Sequence, residues 1–200
     1  MADRKVLGQS ALTGLAIPGP LGAATAVPGV RIREIKDFAA LGVIARRGRS
    51  AEVAEILSRH VGSAVVDAPR RAGTPRLSAA GTAPGQWLVV GRGDGAALLE
   101  SLRADLSGHA AVTDQGDGRL IVEVAGPRAR DTLAKGIAVD LDASAFKVGD
   151  AAQTSAAHIG VQIALIDDIP TFEIVSARST AGNFWSWFVA SAAEYGIEVC

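Results

Sequence analysis

Apolar positions along this chain recur with two periods, and the switch between them marks out the elements. Val53, Ile56, Leu57 and Val61 fall at i, i+3, i+4 and i+8, one apolar face of a helix that Ser50 would cap and Gly62 would end in a left-handed turn. Leu98, Leu99, Leu102 and Leu106 predict a second helix, capped by Asp94 and closed by Gly108. Pro127 at a first helical position predicts a third, running to Lys135 and stopped by Gly136. A fourth spans about 180–195, with Phe184, Trp187, Phe188 and Ser191 on one face. Short β-rich runs predict strands at 30–35, 41–47, 86–90, 109–113, 119–124, 153–157, 161–165 and 172–177. The strands at 109–113 and 119–124 are joined through Gly116-Asp117-Gly118, which predicts a tight hairpin and antiparallel neighbours.

Strand-loop-helix order repeats weakly between residues 87–106 and 172–195, predicting two α/β halves sharing one sheet. Residues 67–85 are rich in Pro, Gly, Arg, Ser and Ala without a period and read as a surface loop. Residues 1–29 read as an extended docking arm, because the Gly and Pro between Gly14 and Gly29 break any membrane-spanning helix. Residues 30–200 then form a single α+β domain.

Composition excludes several classes. At 200 residues with 48% hydrophobic content, the chain can bury a real core. Twenty basic and 21 acidic residues give a net charge of −1, so no overall field draws it to nucleic acid or to a membrane. Cys200, the only cysteine, allows neither an internal disulfide nor a cysteine metal site, and the expected location is the cytoplasm. His60, His109 and His158 lack the close spacing of metal ligands, and no Ser, Cys or Asp sits in a nucleophile motif. Gly91-Arg92-Gly93-Asp94-Gly95-Ala96 spells the GxGxxA of a dinucleotide turn after a strand, with Asp114 further on. Asp94 beside a pyrophosphate and the hairpin at 116–118 speak for a structural turn instead.

Two surface features suggest a partner. Arg128 and Arg130 sit in the first turn of their helix, against the dipole preference, which points to an anionic partner group or to simple solvation. Trp185 lies about a third of a turn from the main aromatic face and is the interface candidate; the alternative is a wide apolar arc wrapped into the core.

The ordered segments Ser10-Ala11-Leu12, Val30-Arg31-Ile32-Arg33-Glu34, Ala45-Arg46-Arg47-Gly48, Gln86-Trp87-Leu88 and Val124 to Gly136 resemble the gamma subunit of heterotetrameric sarcosine oxidase. Ala152-Gln153-Thr154, Phe172-Glu173-Ile174-Val175 and Trp185-Ser186-Trp187 continue the resemblance. It implies an α+β fold with ferredoxin-like halves and a mixed, largely antiparallel sheet, similar to the folate-binding domain of glycine-cleavage aminomethyltransferases. In those proteins a Gly-rich acidic segment before a Phe-Glu-Ile strand helps to hold folate. Here Leu165-Ile166-Asp167-Asp168-Ile169-Pro170-Thr171 takes its place without the glycines.

The resemblance further implies a non-catalytic subunit, without cofactor or metal of its own, in a complex that demethylates sarcosine oxidatively to glycine. The one-carbon unit leaves as formaldehyde or passes to tetrahydrofolate, and oxygen becomes hydrogen peroxide. FAD, FMN, NAD, tetrahydrofolate and zinc are then expected on the alpha, beta and delta partners. Related complexes acting on dimethylglycine or N-methylglutamate, or a free-standing folate- or dinucleotide-binding protein, are the alternatives.

Overall fold

A computed structural model describes residues 9–93 and 97–200. Within them the chain runs β1 (Gly19–Leu21), β2 (Val30–Glu34), β3 (Phe38–Ala45), α1 (Ser50–Val61), β4 (Arg71–Gly73), β5 (Leu77–Ala83), β6 (Gln86–Arg92), α2 (Leu98–Asp105), β7 (Ala110–Asp114), β8 (Arg119–Ala125), α3 (Ala129–Ala134), β9 (Ala151–Ala156), β10 (Ile159–Asp167), β11 (Thr171–Ala177), α4 (Ala181–Ala192) and β12 (Ile197–Val199). No helix among the described residues is long and apolar enough to cross a membrane.

The strands form two sheets, ordered β4-β5-β6-β3-β7 and β1-β12-β2-β8-β11-β10-β9. All neighbours are antiparallel except β12 and β2. The five-stranded sheet follows the chain order β3-α1-β5-β6-α2-β7, the ferredoxin-like pattern with both helices on one face. The seven-stranded sheet repeats it as β8-α3-β10-β11-α4-β12, with β2 slotted between β8 and β12. The repeat legible at 87–106 and 172–195 is therefore β6–α2 and β11–α4, the same position in each half.

Burial explains the layering. Leu57, Leu102 and Leu106 cover one sheet through Val43, Trp87 and Val89. Leu133, Phe184, Trp185 and Phe188 cover the other through Val122, Val124, Phe172 and Ile174. The opposite faces meet each other, where Ala40, Leu88 and Val90 pack on Ile121 and Val175. The order is helices, sheet, sheet, helices. This corrects the expectation of one shared sheet: each half has its own sheet, and the backs of the two are joined.

Three further expectations change. Residues 110–114 and 119–125 are not a hairpin, since β7 pairs only with β3 while β8 lies between β2 and β11. The Gly116–Gly118 turn carries the chain from one sheet to the other, held by the Asp114 carboxylate accepting from Gly116 N at 2.9 Å and by Gln115 N donating to Ala40 O at 2.9 Å. Residues 67–85 are not a surface loop, because β4 and β5 lie within them and Leu77 to Gly81 are buried. Small side chains allow this close fit: a Cβ on Gly81 would stand 2.0 Å from Ala68 O. Ser50 does not cap α1, whose N-cap is Arg49 without a side-chain hydrogen bond, whereas Gly62 ends it at φ 72° as expected. The cap expected at Asp94 and residues 1–8 of the arm lie outside the described residues.

Candidate functional site

The N-terminal segment is anchored at its start and apolar at its surface. Leu12 enters the core, and its backbone N–H donates to Ser10 Oγ at 3.2 Å and to Glu34 Oε1 at 3.3 Å. From there the chain returns along the sheet edge, where β1 pairs with β12 and Ala23 N donates to Ala193 O at 2.7 Å. Along this segment Leu15, Ile17, Leu21 and Val27 stay open to solvent, Ile17 at 71% and Val27 at 76%. Half-exposed apolar side chains gathered on one edge segment are the pattern of an interaction surface.

Arg128 flanks this segment. Its guanidinium pairs with Asp131 at 2.8 Å and lies 5.5 Å from the centre of the Tyr195 ring, with the side chain largely exposed. Arg130 turns inward, donating to the carbonyls of Leu141 and Phe146 and covering the Phe172 ring at 5.4 Å. It fastens the 141–146 segment and offers little to a partner. Trp185 is 8% exposed within the core and 6.2 Å from Phe188 between ring centres. The second aromatic face expected on α4 is thus inside the molecule, and the wide-arc alternative describes it. Trp187 packs against Gly136, where a Cβ would meet its indole nitrogen at 2.5 Å. Gly136 follows the end of α3 as expected and also lets the indole approach closely.

The densest chemistry lies between the sheets, and sequence reading passed over it. Arg33, Glu123 and Glu173 stand side by side on β2, β8 and β11, with the two glutamates in direct register. Like charges placed so repel. Arg92 of β6 resolves this by donating to both glutamates from the other sheet. Arg33 reaches Glu123 at 2.5 Å, and the Nε of Arg71 reaches Glu173 at 2.9 Å. Burial pushes the Glu123 carboxyl pKa up, but the hydrogen bonds from Arg92 and Arg33 outweigh it and hold the pKa below the ordinary value. A signal was available: one glutamate in each of the apolar runs Leu120 to Val124 and Phe172 to Val175. Every acid here has two cations, so the cluster can clamp the two sheets together.

Arg92 belongs to the GxGxxA stretch, and its inward turn gives that stretch a structural role; residues 94–96 lie outside the described residues. In the segment at the place of the folate loop, the Asp167 carboxylate accepts from Ile169 N at 3.0 Å and closes the turn. A cleft of about 460 Å³ beside it is lined by Arg31, Arg33, Ile166, Asp167 and Ile169. Among the described residues no group of three or more His, Cys, Asp or Glu is placed to hold a metal. His60 lies 2.8 Å from Asp105 and His109 lies 3.5 Å from Glu52, both surface pairings between neighbouring elements.

The other end of the seam holds glutamines. A cavity of about 290 Å³ there is lined by Gln86, Gln115, Arg119, Gln153 and Gln162 over a floor that includes Leu88 and Val175.

Comparison with known proteins places this architecture. The model of the sarcosine oxidase, gamma subunit family matches residues 53–194. A chain of the heterotetrameric sarcosine oxidase from Corynebacterium sp. U-96, in complex with pyrrole 2-carboxylate, superposes with a TM-score of 0.79 at 23% identity, over 94% of this chain and 95% of that one. The glycine cleavage system aminomethyltransferase T from Bartonella henselae superposes with a TM-score of 0.62 at 16% identity over 86% of this chain. This chain spans about half of that protein's length, 47%. No curated protein sequence matches.

Proposed function

From a chain that belongs to the sarcosine oxidase gamma subunit family, as the match over residues 53–194 establishes, we propose a non-catalytic subunit that docks on and steadies the catalytic chains of a sarcosine oxidase. The reaction assigned to the complex is oxidative demethylation of sarcosine to glycine in the cytoplasm, with formaldehyde or methylene-tetrahydrofolate and hydrogen peroxide as products. The partners are the alpha, beta and delta chains, which carry FAD, FMN, NAD, tetrahydrofolate and zinc.

The observation that carries this reading is the N-terminal edge, where Leu15, Ile17, Leu21 and Val27 are exposed on a segment fixed at both ends to the fold. An ordered apolar edge costs nothing further to arrange when a partner covers it. Burying Ile17 and Val27 contributes roughly 1.5 to 3 kcal/mol each. Arg128 at its border supplies the polar rim.

The test is co-expression of Ile17→Asp/Val27→Asp with the partner chains, followed by size-exclusion chromatography and flavin absorbance. The expected outcome is a folded variant that leaves the yellow complex, with affinity reduced more than about a hundredfold. Co-elution of the variant at wild-type stoichiometry would rule out this edge as the docking surface.

A further inference from the structure

The glutamine-lined cavity has a charge problem that the rest of the molecule does not solve. Arg119 donates from Nε and Nη2 to Oε1 of Gln115, a neutral partner, and among the described residues no carboxylate pairs with it. No Asp or Glu lines the cavity either. Gln115 is held in turn by Thr113, with 3.5 Å from Nε2 to Oγ1. It lies where a Cβ on residue 42 would stand 2.1 Å from its amide nitrogen, so Gly42 makes room for it. The guanidinium is therefore positioned, not merely present.

Gln162 is the second anomaly. It is 5% exposed, and both its amide nitrogen and its amide oxygen are buried without a hydrogen-bond partner. Buried polar atoms of a native fold are nearly always satisfied, and an exception asks for an explanation. Gln153 faces it across β9 and β10 in register. Next to them Gly160 has nothing within 4 Å of where a Cβ would stand, which keeps the entrance open.

One fixed cation, no anion, several amides and an apolar floor define a complementary ligand. We propose that this cavity binds a small organic carboxylate with an apolar body, its carboxylate taken by Arg119 and its edge met by Gln162 after a turn of the side chain. Guanidinium groups recognise carboxylates through paired N–H donors, which Gln115 engages only in the empty state. The volume, about 290 Å³, suits a ligand of one ring. The site is separate from the N-terminal edge and does not depend on the docking role.

The experiment is NMR titration of the isotopically labelled full chain with three probes of one shape: benzoate, benzamide and benzamidinium. Benzoate is expected to shift the Gln162 side-chain amide and the Gly160 N–H saturably, with a dissociation constant on the order of 1 mM or tighter. Benzamide should bind at least tenfold more weakly and benzamidinium not at all. Arg119→Gln, checked for a folded spectrum, should bring benzoate down to the benzamide level, and Gly160→Leu should block both benzoate and benzamide. No saturable shift, equal binding of benzamidinium, or shifts that ignore Arg119 and Gly160 would overturn the proposal. The wild-type probe series decides the matter even where a variant fails to fold.

Discussion

The two ends of the seam between the sheets use the same kind of residue to opposite effect. At one end Arg33, Arg71 and Arg92 surround Glu123 and Glu173, and each carboxylate pairs with two guanidinium groups. At the other Arg119 donates only to the amide of Gln115, and the Gln162 side chain has no hydrogen-bond partner among the described residues. The strip joining them, Ala40, Leu88, Val90, Ile121 and Val175, is apolar and common to both. The difference lies in pairing rather than in openness: a cleft of about 460 Å³ borders the charged end at Arg33 and Glu123, whose carboxylate is fully engaged, whereas the cavity of about 290 Å³ at the glutamine end keeps a cation without a counter-charge.

The sharpest way to break this comparison is to make one substitution at both ends. Arg92→Met keeps the aliphatic stem but leaves two registered glutamates with one cation each. Removing a partner from a buried ion cluster is expected to cost about 3 kcal/mol, read by urea denaturation. Arg119→Met removes only bonds to a neutral amide and should cost about 1 kcal/mol. Equal losses at the two ends would mean that the cluster is no tighter than an ordinary hydrogen-bonded pair.

Acid titration sharpens the contrast further. The folded pKa of Glu123 lies below its ordinary 4.5. A group depressed in this way adds stability above its unfolded pKa and loses it as pH falls through the folded value. Stability should therefore drop as pH is lowered below about 4.5, and Glu123→Gln, less stable at pH 7, should show a shallower acid limb. A parallel acid limb in that variant would assign the acid sensitivity to other carboxylates.

What was legible in the sequence follows the same division. The outward-facing helices announced themselves because one face is apolar and the other wet, as with Val53, Ile56, Leu57 and Val61. The strands β8, β10 and β11 were visible as β-branched runs. Strand β5 was not, because both its faces are covered and its Ala, Ser and Gly residues have neither a period nor strand propensity. The strand pairing of β7 and β8 was misread because glycines at 116 and 118 permit a hairpin without requiring one. Trp185 was assigned to the surface because helix periodicity gives the width of an apolar arc but not how far the neighbouring segments wrap it. Neither end of the seam was seen as a site, since Arg71, Arg92, Glu123 and Glu173 lie far apart in sequence and meet only once two sheets stack.

The smallest expected effect concerns the hairpin that frames the open end. Ala157 and His158 join β9 to β10 at φ 45° and 71°, both in the left-handed region that side chains with a Cβ adopt at a cost. A two-residue turn of this kind favours Asn followed by Gly. Ala157→Asn/His158→Gly should therefore stabilise the chain by about 1 kcal/mol and slow amide exchange in both strands. The strands carry Gln153 and Gln162, so the same variant bears on the cavity. If the glutamine end is open because its walls are fixed apart, a stiffer hairpin leaves the cavity and its benzoate affinity intact. If it is open only because the hairpin fluctuates, stiffening lowers that affinity, and the two ends differ in motion rather than in charge.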